Sequence, residues 1–448
     1  MTMLERHIVV LGAGPAGAAV ALGLRKLGHA VTVMGTPRAF GAIEGVSARV
    51  VAGLRGAGLE AALAAVQEPS ARQAHWGGQA TAVNSERLVD RAAFDRLLWR
   101  ALADQGIECV PAQVQRWQAD DSGHWLQAQR RDDGSALSVR AEFVVEARGR
   151  WAPHAGQGLR RGPDTVALLW RGQGPSGLAP ASAVESLPEG WAWMARLPGG
   201  ACCLQLTVDA EATELPPRAQ LGAFIRQRLQ TVASAQPFLA AGATAWTSVA
   251  RTSTAVLPDT VCGERWIRVG DAAMAADPLS GNGIFQSLSS ALQAPVVVHT
   301  LLNHPADAGH ARRFHHERVH GLFERFARIG RDFYAQETRW AQEPFWAARR
   351  AWPDAVPSHA QTADAAPRVA QRPVVDRDRI RLAEVVVTAD QPLGVWHVEG
   401  AQAGAMWRAA RSAPGRETQA VAQALDCDAP RAQRLVAWMQ AQGWLAPG

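Results

Sequence analysis

Ile8-Val9-Val10-Leu11-Gly12-Ala13-Gly14-Pro15-Ala16-Gly17 sets a short apolar run directly against a G-x-G-x-x-G pattern. An Ala-rich stretch through Leu22, Leu24 and Leu27 follows and stops at Gly28, and a second apolar run, Ala30-Val31-Thr32-Val33-Met34, comes next. The spacing predicts strand, tight turn, helix, strand. Gly12 permits the turn, Gly14 lets the backbone approach a pyrophosphate, and Gly17 lets helix and strand pack closely. Ala16 and Gly17 then lie at a helix N-terminus, whose N–H groups and dipole favour phosphate. Between two strand-like runs, the glycines read as a dinucleotide-binding turn rather than a structural one.

The chain of 448 residues is long enough for two or three domains, and 48% hydrophobic against 19% charged residues describes a largely globular protein. The net charge of +5 is scattered, with no long basic run, which argues against nucleic-acid binding. Nearly all basic residues are arginine, because Lys26 is the only lysine. Cys109, Cys202, Cys203, Cys262 and Cys427 show no metal-site spacing, and their odd number fits a reducing compartment. Neither a signal peptide nor an apolar run of transmembrane length is visible, so a cytoplasmic protein without membrane contact is expected. Tryptophan is abundant, with 17 residues beside the single tyrosine Tyr334, and some of these rings are candidates to line an aromatic cleft.

Further along, Leu88-Val89-Asp90-Arg91 leads into a helix whose Phe94, Leu97, Leu98, Ala101 and Leu102 share one face. Residues 67–82 read as loop or short strand, residues 112–142 as a meander, and residues 160–256 as several strands around one helix. Phe143-Val144-Val145 is a buried strand ending at Gly149, and Arg265 to Val269 is another, running into Gly270-Asp271-Ala272. His315 and His316 lack partners at metal spacing and read as surface, and Phe333, Tyr334 and Trp340 read as a helical stripe packed on the core. The tail carries a short strand and three helices. The stretch around Leu425-Asp426-Cys427-Asp428 is spaced like the turn of a helix-turn-helix.

Four stretches together resemble one family, the FAD-dependent monooxygenases of the para-hydroxybenzoate hydroxylase type and their halogenase relatives. They are the opening glycine turn, Asp90-Arg91-Ala92-Ala93-Phe94-Asp95, the run from Phe143 to Arg150, and Gly270-Asp271-Ala272 with Asp277-Pro278 and Gly281-Asn282-Gly283. The resemblance spans about residues 5–340. It implies an α/β fold with a Rossmann-like FAD-binding domain (residues 1–160 and 250–350, with connecting helices) and an inserted mixed-sheet substrate domain (161–249). A linker (351–378) and a small winged-helix-like C-terminal domain (379–448) complete the expected layout. It also implies cofactor contacts at Gly12, Gly14, Ala16, Gly17, Arg38, Arg49, Arg91, Asp271, Gly281, Asn282 and Gly283.

Asp271 at a strand end can accept a ribityl or ribose hydroxyl, and the helix that follows can place its positive end by the flavin edge that gains charge on reduction. Pro278 would shape the wall at the oxygen-reactive edge. Glu44 and His75 are candidate bases, each with a plainer reading as a helix-start charge and a loop histidine. Trp191 and Trp193 alternate on a strand and face one side, as a wall of the substrate pocket or as packing. Two departures stand out. The acid that usually holds the adenosine ribose is replaced by Gly35, leaving Arg38 or a backbone group to substitute. Arg148-Gly149-Arg150-Trp151 also lacks the Ser and second Arg of the hydroxylase "D-G-x-x-S-x-x-R" run, so the electron donor, NAD(P)H or a separate flavin reductase, stays open.

The resemblance implies hydroxylation of an aromatic ring through a flavin C4a-hydroperoxide. Halogenases of this kind use an essential lysine, and Lys26, at the far end of the first helix from the phosphate site, cannot serve. Residues 44–50, 54–59, 184–193 and 277–284 resemble more narrowly the flavoprotein monooxygenases of tryptophylquinone cofactor biogenesis, which serve quinohemoprotein amine dehydrogenase. That resemblance implies dihydroxylation of a peptidyl tryptophan in a partner polypeptide, a substrate that suits the appended tail. The alternatives are hydroxylation or halogenation of a small aromatic metabolite, and a non-catalytic flavin-binding interaction protein.

Overall fold

The computed structural model describes residues 2–38, 41–120, 123–154, 158–239, 244–280, 283–358 and 366–445. The opening stretch forms strand β1 (Thr2–Leu11) and helix α1 (Pro15–Lys26), followed by β2 (Val31–Met34). Then come β3 (Ile43–Val46), α2 (Ala48–Ala57), β4 (Ser70–Trp76), β5 (Gln79–Asp90) and α3 (Arg91–Asp104). Strands β6 (Glu108–Val110), β7 (Ala112–Asp120), β8 (Gly123–Arg130) and β9 (Ala136–Glu146) end the first third.

The middle contains β10 (Leu159–Arg161), β11 (Thr165–Gln173), β12 (Ala181–Leu187), β13 (Gly190–Arg196), β14 (Ala201–Asp209), α4 (Leu221–Leu229), α5 (Gln236–Leu239), β15 (Thr244–Thr252), β16 (Val256–Pro258) and β17 (Trp266–Arg268). Helices α6 (Gly283–Ala291), α7 (Ala294–Asn303), α8 (Ala308–Gln336) and α9 (Pro344–Ala351) follow. The tail has β18 (Arg368–Asp376), β19 (Arg379–Val387), α10 (Ala403–Ser412), α11 (Glu417–Leu425) and α12 (Ala429–Ala441).

One sheet runs β6-β2-β1-β9, with β17 joining β9, and every one of these pairs is parallel. The antiparallel β7–β8 meander continues from β9. Parallel strands buried on both faces read as unbroken apolar runs, which is why Ile8 to Leu11 and Phe143 to Val145 contain no polar residue and are 0% exposed. Helix α1 packs its Val20 and Leu24 on the sheet, and α3 buries Phe94, Leu98 and Leu102 in the same core. Asp90 caps α3, accepting from the N–H groups of Ala92 (2.8 Å) and Ala93 (3.2 Å). The C-terminal ends of β1, β9 and β17 come side by side, the edge where ligands bind in open α/β sheets.

The second sheet has eight strands in the order β15-β11-β14-β13-β12-β4-β5-β3. Its make-up corrects the boundary expected at residue 161. Three of its strands, β3 to β5, come from residues 43–90, of which 67–82 read as loop or short strand, and so lie outside the expected 161–249. The Gly77-Gly78 turn, with φ of +61° and +77°, folds β4 back on β5, and β4 pairs with β12 in parallel. The expected linker 351–378 is likewise shorter, because β18 lies within it and pairs with β19 along their whole length. The β18–β19 hairpin rests on α7 and α8. Ile380 enters the core of the first sheet's helices, and its N–H donates to Thr300 Oγ1 at 2.8 Å. Helices α10 to α12 close around Met406, Trp407, Val421, Leu435 and Met439. Among the described residues, no helix is long and apolar enough to cross a membrane.

Candidate functional site

The glycine turn acts through its backbone. Gly12 has φ +107°, and a Cβ there would lie 2.5 Å from the carbonyl oxygen of Ala147 at the end of β9. A Cβ on Gly17 would collide with the Gly12 carbonyl. At Gly14 the same atom would meet nothing within 4 Å, so the turn is closed on its inner side and open where a ligand would lie. Helix α1 starts here with Gly14 as N-cap and no side-chain cap, which leaves first-turn N–H groups for a phosphate.

Ala16 packs against Gly270, whose φ of +61° and tight contact with the Ala16 methyl exclude a side chain. The glycine turn and the Gly270-Asp271 turn are therefore neighbours, although about 250 residues separate them in sequence. Asp271 accepts a hydrogen bond from Ser287 Oγ on α6 (3.0 Å) and lies 3.7 Å from Arg150 Nε, with its carboxylate one-third exposed. Arg150 is itself fixed by the carbonyls of Thr254 (2.6 Å) and Ala276 (2.8 Å). Gly283 opens α6 with nothing within 4 Å of a would-be Cβ. The expected contacts Gly281 and Asn282 lie outside the described residues. The open turn at Gly14, the free start of α1 and the exposed Asp271 fit an extended dinucleotide such as FAD.

At the end of β2, a Cβ on Gly35 would come 3.3 Å from Gly12 Cα, so a side chain there would press on the glycine turn itself. The nearby charges are organised as a network instead. Arg91 donates to Glu44 Oε1 (2.7 Å) and Asp95 Oδ1 (3.1 Å), while Arg38 lies 3.4 Å from Glu44 and 3.5 Å from Asp95. Burial works against the charged form of Glu44, but the two guanidiniums outweigh it and leave its carboxyl below the usual range. A carboxylate held this way is a weak base, so the geometry argues against the catalytic part expected of Glu44 and makes it the partner of buried Arg91. Arg49 sits in the first turn of α2 and is exposed.

A second candidate element is an aromatic wall. Residues paired across the sheet share a face, and the registers Trp193↔Val184↔Ala74 and Trp191↔Ser186 put both tryptophans on the face that also carries Trp76. Against it pack Tyr334 from α8, Phe345 and Trp346 from α9, and Leu279 from the turn that begins at Pro278. Trp191 is only 4% exposed and donates to Tyr334 Oη at 3.3 Å. It is thus packing inside the wall, whereas half-buried Trp193 spans this cluster and the one formed by Ile43, Leu88, Leu169 and Cys203.

Glu337 ties the wall together from the end of α8. It accepts from Gly77 N (2.8 Å) and Ser186 Oγ (2.6 Å) and pairs with Arg339 (2.8 Å), which hold its carboxyl down to about 2.

Two histidines differ from expectation. His75 lies on β4, not on a loop, and pairs in register with Glu185 on the opposite face, 3.5 Å from Glu185 Oε2. That face is covered by α4 and α5, and Ser234 Oγ donates to the same Glu185 oxygen at 2.7 Å. His75 is therefore on the wrong side of the sheet to serve the tryptophan face. His315, expected at the surface, is 2% exposed. Its Nε2–H donates to the Arg268 carbonyl at 2.9 Å, and burial lowers the imidazole to about 4.

A residue that sequence reasoning did not single out is Asp277, immediately before Pro278. Its Oδ1 accepts from Leu279 N (2.8 Å) and Tyr334 Oη (2.9 Å), and desolvation pushes its carboxyl up. The signal was present in Tyr334, the one tyrosine of the chain.

No family profile matches the sequence. Among curated proteins, the chain is 25% identical over 277 residues to the putative FAD-dependent oxidoreductase LodB of Marinomonas mediterranea, covering 59% of this chain and 71% of LodB. Among solved structures, the halogenase CmlS superposes with a TM-score of 0.71 over 99% of this chain and 96% of its own, at 17% identity that speaks for the fold alone. The peptidyl tryptophan dihydroxylase QhpG, essential for tryptophylquinone cofactor biogenesis, matches with a TM-score of 0.85 and 50% identity over 98% of this chain and 100% of QhpG. Half of all positions shared from one end to the other, on a site shaped for FAD, places the chain in the family of FAD-dependent flavoprotein monooxygenases that contains QhpG.

Proposed function

We propose that the protein dihydroxylates a tryptophan held in a partner polypeptide, as a step in making a tryptophylquinone cofactor. The observation that carries this reading is the 50% identity to QhpG across 98% of the chain, which extends through the C-terminal hairpin and helices. Bound FAD supplies oxygen activation. Each of two rounds converts an indole C–H, O2, two electrons and two protons into C–OH and water. The electrons come from NAD(P)H or from a separate flavin reductase.

In this reading Gly12, Gly14, Ala16 and Gly17 receive the pyrophosphate and Asp271 a sugar or ribityl hydroxyl, with Gly283 at the flavin edge. Arg91 and Arg38, held by Glu44 and Asp95, set positive charge beside the cofactor, and exposed Arg49, in the first turn of α2, is a further candidate contact. Pro278, Leu279 and Trp193 form an apolar wall that keeps water from the reacting indole. Lys26 is exposed at the end of α1, close to Gly58, and takes no part. That removes the lysine route to halogenation.

The test is mass spectrometry of a tryptophan-containing partner polypeptide after aerobic turnover with reduced FAD. A gain of two oxygen atoms on one tryptophan is the expected result. A chlorine or bromine mass shift, or oxidation only of free small aromatics, overturns the reading.

A further inference from the structure

We propose that Asp277 and Tyr334 form a proton path from the Pro278 turn to a crevice between α8 and α9, supplying protons that each hydroxylation consumes. The proposal rests on the reading above for the identity of the reaction. Its geometric basis is independent of that reading.

The Asp277 carboxyl stands at the base of the turn, fixed by Leu279 N, and the Tyr334 hydroxyl donates to it at 2.9 Å. Tyr334 is 2% exposed, and its oxygen also accepts from Trp191 Nε1. Both Asp277 and Tyr334 line a crevice of about 10 Å³, room for about one water, whose other walls include Gly330, Arg331, Arg349 and Trp352. A water there has polar partners on its walls and a route outward.

The charged groups facing the pair are arginines. Arg349 of α9 is committed to Asp209 (2.9 Å) and Thr165 (2.6 Å), Arg331 of α8 to the carbonyl of Val356 (2.8 Å) and to Asp332, and Arg150 to two carbonyls. Arg349 and Arg150 act on Asp277 through space, and their attraction is outweighed by burial, so the carboxyl keeps a proton more readily than an exposed one. A carboxyl of that kind, hydrogen-bonded to a phenol, passes a proton inward and regains one from the crevice, with no net change in either group.

The chain's single tyrosine makes the pair directly readable. In the holoenzyme, the phenolate band in the ultraviolet belongs to Tyr334 alone and is absent from Tyr334→Phe. Burial and the neighbouring carboxylate raise this phenol well above its ordinary value, and Asp277→Asn removes the carboxylate contribution. Its ionisation is therefore expected to move down by about one pH unit in Asp277→Asn. An ionisation in the ordinary range, or one unmoved by Asp277→Asn, overturns the pairing whether or not a peptide is ever hydroxylated.

The second measurement compares oxygen consumed with hydroxylated peptide formed across pH. Tyr334→Phe is expected to bind FAD normally, lose about ten-fold in coupled product, release the difference as hydrogen peroxide and flatten the pH profile. Normal FAD content with wild-type coupling and pH profile overturns the path while leaving the proposed function standing. If wild-type protein hydroxylates no peptide, the function reading falls and the titration still decides the pairing.

Discussion

At the phosphate end, Gly12, Gly14 and Gly17 lie within one turn of chain and act through backbone shape. At the aromatic wall, Leu279, Trp191, Trp193, Tyr334 and Trp346 come from a turn, a strand and two helices and act through side chains. The first end leaves no room for a side chain at Gly12 or Gly17. The second depends on the sheet, α8 and α9 arriving together.

Gly17→Ala should be the most damaging single change, because its methyl would enter the Gly12 carbonyl, a backbone atom that cannot yield. The cost of clash and backbone shift is about 4 kcal/mol or more, so FAD-loaded protein should be nearly absent from purified material. Near-normal flavin content would break the comparison at its first term.

Acid should separate the two ends. His315 holds the end of β17 and is depressed to about 4 from 6.5, so the unfolded chain takes up its proton first. The contribution, about 3 kcal/mol, is complete above pH 6.5 and is lost as pH falls through 4. Glu337, depressed to about 2 from 4.5, holds the wall and also contributes about 3 kcal/mol, complete above pH 4.5 and lost toward pH 2. Flavin release should therefore precede a change in tryptophan fluorescence on acidification. Glu337→Gln should remove the later step and leave the earlier one. Coincident steps would show that the two ends are not separable.

Asp271→Ala should weaken FAD binding by about 2 kcal/mol through loss of a charge-assisted hydrogen bond, read as flavin retained after gel filtration. Unchanged retention would remove Asp271 from the site. The smallest effect belongs to His75→Ala. On the helix-covered face it should change hydroxylation less than about two-fold and stability by about 1 kcal/mol or less. A hundred-fold loss would return His75 to the reaction.

The same contrast explains what was legible in the sequence. The glycine turn, the Asp90 cap with its Phe94 helix and the Asp271 turn are written in adjacent residues, so spacing alone exposes them, and the parallel strands announce themselves as apolar runs. The wall depends on register. Residues 67–82 carry Gly77, Gly78 and several polar residues and so read as loop or short strand; they form β4 and the start of β5. Once β4 is a strand, alternation sends Trp76 to the tryptophan face and His75 away from it. Asp277 stood in a quoted motif, but its partner Tyr334 lies 57 residues away on α8 and reads there as ordinary packing. His315 reads as surface because it lacks partners at metal spacing, and only the fold, which sets it against the Arg268 carbonyl at the end of β17, buries it.

The β18–β19 hairpin carries Ile380 into the hydrophobic core that also holds α1 and α7, and its backbone is tied to Thr300. The tail is therefore a structural member of the cofactor domain rather than a passenger on a tether. Cutting the chain ahead of β18 would uncover an apolar socket on α7 and α8. A flavin domain produced alone should be sticky and prone to self-association, and the tail helices should melt together with the flavin core in one transition.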